Sequence, residues 1–186
     1  ADDFQADGHS YTEYVDVDSF VDYFIGSELM KSIDGDCRTS CFFTWAPGQV
    51  FRMGPMWDYD HSAGYDDFGP RISSPEGWWA GDPAPEDFYS HHASHWVARM
   101  LKDPVFKART RARWDELKAD GVLERLVTSV DTAAAGLGPV ARNNDWERWS
   151  GAFHTMGEIH GDSPDAEVAF LRDWLQKRVA WIDANL

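Results

Sequence analysis

Cysteine is almost missing: Cys37 and Cys41 are the only two in 186 residues. That excludes a disulfide-scaffolded fold and a zinc-finger core. Four positions apart, the two can close a disulfide if the local turn brings their Cα atoms within about 7 Å. A bridge would fit an oxidising compartment; two buried thiols beside a hairpin are the alternative. Basic residues are also scarce, with 17 Lys and Arg against 32 Asp and Glu and a net charge of −15. Such a surface repels nucleic acid phosphate and anionic lipid, so neither is an expected partner. No apolar run approaches the roughly 18 residues of a membrane span, and membrane insertion is not expected. The start Ala1-Asp2-Asp3 carries no Met and no signal-peptide pattern, and it reads as a mature or internally cut end.

What is abundant is apolar and aromatic. The apolar fraction is 43%, with ten Trp, eleven Phe and six Tyr, enough for a packed core. The surplus acid lies mainly before residue 90, in Asp16/Asp18/Asp22, Asp34/Asp36, Asp58/Asp60 and Asp66/Asp67. Such clusters recruit divalent cations or basic peptides, or simply keep a surface soluble.

The chain divides into an acidic arm (1–15), a helix–loop–hairpin unit (16–64), a long loop (65–86) and a helical remainder (87–186). Asp16 or Asp18 can cap a first helix whose apolar spacing runs through Phe20, Phe24, Ile25, Leu29 and Ile33. That helix is expected to end at Ile33-Asp34-Gly35, where glycine permits the turn. Ser40 to Trp45 and Gln49 to Met53 read as strands joined by Ala46-Pro47-Gly48. Gly54-Pro55 stops the second strand and leads into Trp57-Asp58-Tyr59-Asp60. Helical patterns follow from Phe88, with Pro164 in the first turn of the last helix. Asn143 and Asn144 look like a helix-ending turn, with a place lining the active cleft as the alternative. The fold class is mainly α with a small β-hairpin.

Helix, Asp34, short loop, hairpin, Asp58 is an order that suits phosphoryl transfer. One Asp accepts the substrate hydroxyl proton, and a second holds the metal on the nucleotide phosphates. Asp58 and Asp60 are two apart, so in an extended segment they share a face. About 4 Å apart they would repel by about 4 kcal/mol at an effective dielectric of 20. A partly buried pair therefore wants a cation between them; otherwise Asp58 caps a turn and Asp60 is solvated.

Val17-Asp18-Ser19-Phe20-Val21-Asp22-Tyr23-Phe24, Glu28 to Gly35 and Met53-Gly54-Pro55-Met56-Trp57-Asp58-Tyr59-Asp60 with Gly64 resemble the CotH family of spore-coat-type atypical kinases. Trp96 to Phe106, Arg113-Trp114 and Trp174-Leu175-Gln176-Lys177-Arg178 resemble its C-terminal helices. The resemblance implies a protein-kinase-like C-lobe, secreted or at the cell surface. In it Asp34 is the catalytic-loop Asp, Asp58 is the metal ligand and Asp60 assists. Mg²⁺ or Mn²⁺ with ATP would be the cofactors, and the hydroxyl of a protein Ser or Thr the acceptor. Kinase loops place Asn about five residues after the Asp; the matching neighbourhood here offers Ser40. Arg38, Ser40 and His61 are candidates for supporting the metal or the substrate. No glycine-rich phosphate loop exists in these 186 residues, so an N-lobe from another chain or fragment is the expected partner.

Rival readings are a non-catalytic extracellular module with an acidic Ca²⁺ site, and a metal-dependent hydrolase using His61. His91, His92 and His95 have metal-compatible spacing but no third ligand beside them. His154 and His160 are a weaker pair. Trp78-Trp79, two adjacent rings on a polar loop, can clamp a partner or cover the missing lobe.

Overall fold

A computed structural model describes residues 4–34, 37, 40–65, 70–79, 95–155 and 160–186. Contacts divide the chain into two compact units, Ala1–His61 with Trp78–Asp115, and Ser62–Gly77 with Glu116–Leu186. Among the described residues no helix is long and apolar enough to cross a membrane.

The first unit opens on a hairpin of β1 (Gln5–Ala6) and β2 (His9–Ser10). Its turn residues Asp7 and Gly8 both have positive φ, the Asp-Gly pattern favoured in two-residue hairpin loops. A single 3₁₀ turn, Tyr11–Glu13, follows, and then α1 (Val17–Met30). Asp16 caps α1 by accepting from the Ser19 backbone N–H at 3.1 Å. The helix buries Phe20, Val21, Phe24, Ile25 and Leu29.

Helix α1 ends three residues before the expected Ile33. Lys31 itself takes the left-handed conformation, φ 48°. Its N–H reaches the Glu28 carbonyl at 3.1 Å, and the Ser32 N–H reaches the Ser27 carbonyl at 3.1 Å. This pair of bonds is the Schellman closure usually built on glycine. A lysine there costs roughly 1–2 kcal/mol of backbone strain; Lys31 and Ser32 are each 1% exposed.

Strands β3 (Phe43–Thr44) and β4 (Arg52–Met53) pair antiparallel, Phe43 opposite Met53 and Thr44 opposite Arg52. The expected hairpin is present, with shorter ladders. An isolated parallel bridge joins Val15 to Phe51. On α3 (His95–Met100) and α4 (Pro104–Ala119), Val97, Phe106, Thr110 and Trp114 are buried. Phe106, Thr110 and Trp114 stand four residues apart on one face and are each 0% exposed. Trp114→Ala is expected to cost about 3–5 kcal/mol. A fall in the urea midpoint with an unchanged m-value would report it.

The second unit contains α2 (Pro70–Ser73), α5 (Val122–Leu137), α6 (Pro139–Thr155) and α7 (Pro164–Asn185). Leu123, Val127 and Ala134 of α5 are buried, as are Trp174, Leu175 and Ile182 of α7. Arg172 pairs with Asp131 at 2.5 Å. The stretch after α2 is tied to α7: Trp174 Nε1 donates to the Ser73 carbonyl at 2.7 Å, and buried Arg178 donates to Pro75 and Gly77 at 2.9 and 2.6 Å. Asn143 and Asn144 lie inside α6, not at a helix end. Pro139 at the first position starts the helix there, and the weak propensity of Asn, under about 1 kcal/mol each, does not stop it.

Candidate active site

The site is built in the first unit from two segments, the loop after α1 and the turn after β4. Asp34 follows Ile33, whose backbone N–H donates to the His61 carbonyl at 3.0 Å. The residue before Asp34 is thus bonded to the residue after Asp60. At the other end of the loop, Ser40 Oγ donates to Asp58 Oδ2 at 2.9 Å. A disulfide joins Cys37 to Cys41 across a Cα separation of 4.7 Å, which ties down the stretch carrying Ser40. Two stitches therefore hold Ile33 and Ser40, on either side of the loop, against the Asp58–His61 segment.

Helix α1 also anchors the second segment. Ser27 Oγ lies 3.1 Å from the Tyr59 hydroxyl, and burial pushes the Tyr59 phenol up from its ordinary pKa. Tyr59 is held inward between two exposed carboxylates, Asp58 and Asp60. Asp58 is left-handed, φ 64°, a conformation that Asp tolerates better than most residues. The Gly54–Pro55 peptide preceding the segment is cis.

Electrostatics separates the acidic groups. Each clustered carboxylate of the α1 entrance has a guanidinium partner: Asp16 with Arg52 at 3.3 Å, Asp18 with Arg109 at 2.7 Å, and Asp22 with Arg113 at 2.7 Å. The hydrogen bond from Arg109 holds the Asp18 carboxyl below the usual range. Those three carboxylates are thus paired within the protein. Asp58 and Asp60 have no Lys or Arg partner among the described residues; Asp58 accepts from Ser40, and Asp60 has only His61, at 3.6 Å.

Among the described residues no group of three or more His, Cys, Asp or Glu is arranged to hold a metal ion by itself. Mg²⁺ asks for less. It is usually held by one or two carboxylates, with substrate phosphates and waters completing its shell. Asp58, with Asp60 near it in the chain, fits that donor requirement.

Residues 3–182 match the family profile of the CotH kinase protein. The chain belongs to the CotH kinase family. No curated protein and no solved structure matches it.

Against the CotH reading of the sequence, Asp34, Ser40, Asp58, Asp60 and His61 all stand on the two stitched segments. Arg38, His91 and His92 lie outside the described residues. His160 packs in the second unit, stacked on Phe170 at 3.8 Å with its Nε2 2.9 Å from the Gly64 carbonyl. Trp79 is not an open clamp. It is 7% exposed, its indole N–H donates to the Ile33 carbonyl at 3.3 Å, and its backbone N–H meets both carboxylate oxygens of Glu28 at 3.0 Å. Sequence reasoning missed the part played by Ser27 and Glu28. The available signal was Glu28 itself, a carboxylate four and seven residues after the apolar Phe24 and Val21, on the buried face of α1.

A separate cavity of about 540 Å³ opens between the β1–β2 hairpin and α3, lined in part by Phe4, Tyr14, Trp96 and Arg99. It shares no lining residue with the carboxylate segments.

Proposed function

We propose that this chain is the carboxylate-bearing lobe of a secreted CotH-type kinase that transfers the terminal phosphoryl group of ATP to a protein Ser or Thr hydroxyl. The observation that carries the reading is the pair of stitches, Ser40 to Asp58 and Ile33 to His61, which ties the residues flanking the Asp34 loop to a segment with two carboxylates that have no Lys or Arg partner among the described residues.

Asp34 would accept the proton of the acceptor hydroxyl as it attacks phosphorus. Asp58, assisted by Asp60, would hold Mg²⁺ or Mn²⁺. When bound, the metal supplies charge neutralisation on the phosphates. Ser40 would orient the Asp58 carboxylate rather than ligate a second ion. Grip on the nucleotide would come from an N-terminal lobe supplied by another segment or chain, since the 186 residues hold no glycine-rich phosphate loop. The Cys37–Cys41 disulfide supports an oxidising, extracellular or cell-surface setting.

With phosphates completing the shell, metal and nucleotide should bind together. Calorimetry on the chain with its nucleotide-binding partner is expected to show Mg²⁺ binding at least about tenfold tighter with a non-hydrolysable ATP analogue, a coupling of ~1.4 kcal/mol. Tight Ca²⁺ binding by the chain alone, indifferent to nucleotide, would instead support the non-catalytic calcium module. Transfer of labelled phosphate to a Ser-containing protein, dependent on Mg²⁺ or Mn²⁺, tests the activity itself.

A further inference from the structure

We propose that Glu28 and Trp79 are positioning residues that set the backbone carrying Asp34. The inference rests on the reading of Asp34 as the base. Both peptide groups of Ile33 are committed: its N–H to His61 at 3.0 Å and its carbonyl to the Trp79 indole at 3.3 Å. One bond comes from the metal-side segment and the other from a residue 46 positions later in the chain. The direction in which the chain leaves Ile33 toward Asp34 is therefore fixed from both sides.

Glu28 fixes Trp79 in turn. Its carboxylate is 1% exposed and accepts the Trp79 backbone N–H at 3.0 Å on both oxygens. Burying a carboxylate is costly, and a helix face of Phe, Val, Ile and Leu would pack more cheaply with an apolar residue there. An acceptor kept at such a position fits a task that an apolar side chain cannot perform, gripping a backbone amide. The neighbouring Ser27, 0% exposed, meets Tyr59 between the two metal-side carboxylates. Two consecutive residues of α1 thus reach the two halves of the site, Ser27 toward Asp58 and Asp60, Glu28 through Trp79 toward Asp34. A general base must stand within hydrogen-bond reach of its proton, and a displacement of about 1 Å can cost roughly a hundredfold in rate.

Trp79→Phe deletes the indole donor and keeps most of the bulk, and Trp78→Phe next to it serves as the control. Hydrogen exchange of the Ile33 and Asp34 amides needs no activity. Trp79→Phe is expected to lower their protection by about five- to tenfold, with Trp78→Phe near wild type. In label transfer, Trp79→Phe and Glu28→Gln should lower kcat by about tenfold or more, with KM for ATP held within about twofold. Unchanged protection in Trp79→Phe, or an equal loss in the Trp78→Phe control, would overturn the proposal. Absence of transfer in wild type with the exchange effect present would refute the kinase reading instead, leaving the positioning of the loop standing.

Discussion

Asp58→Ala in the complete assembly is expected to lower metal-dependent phosphoryl transfer by about a thousandfold, ~4 kcal/mol of transition-state stabilisation. The size follows from what the carboxylate lacks as much as from what it has. Asp58 is exposed, accepts from Ser40 and has no Lys or Arg partner among the described residues, so its charge is open to the proposed cation. Alanine confounds the result, because a left-handed residue without a polar side chain carries roughly 1–2 kcal/mol of strain. Asp58→Asn resolves this. Asparagine tolerates the same backbone and still accepts from Ser40, but it brings no charge. The account expects Asp58→Asn to melt like wild type and to lose transfer nearly as fully as alanine. A stable Asp58→Asn protein with wild-type transfer would remove Asp58 from the metal site.

Asp34→Asn should show a different signature. Removing a positioned general base costs about 10²- to 10⁴-fold in rate. Asp34 is not assigned to the metal, so affinity for Mg²⁺ with the ATP analogue should stay within about twofold. A kcat loss at constant nucleotide affinity marks an interaction made only in the transition state. Equal loss of both would place Asp34 among the metal ligands and require the roles to be redrawn. Taken together, the two substitutions separate base from ligand.

The sequence showed most of the architecture where local chemistry decides it. Asp16 capping α1, Ala46-Pro47-Gly48 reversing the hairpin and Pro164 opening α7 are short-range signals, and each stands in the structure. The I-D-G and W-D-Y-D segments were legible as a resemblance to the CotH family, to which the chain belongs. What stayed hidden is tertiary. Lys31, 1% exposed, ends α1 in a conformation usually given to glycine, which no local signal announces. Trp79 read as a loop aromatic because nothing near it in sequence discloses a bond to Ile33 across 46 residues. From composition, the acid at Asp16, Asp18 and Asp22 could recruit cations or basic peptides or simply keep the surface soluble; Arg52, Arg109 and Arg113, distant in sequence, pair with it.

The most direct measurement is a crystal structure of the assembly with Mn²⁺ and a non-hydrolysable ATP analogue, the metal located by its anomalous signal. The account predicts Mn²⁺ within about 2.2 Å of an Asp58 oxygen, with the Asp34 carboxylate turned toward the terminal phosphate and not bound to the ion. Manganese seated away from Asp58, or an Asp34 carboxylate facing solvent on the far side of the loop, would contradict it.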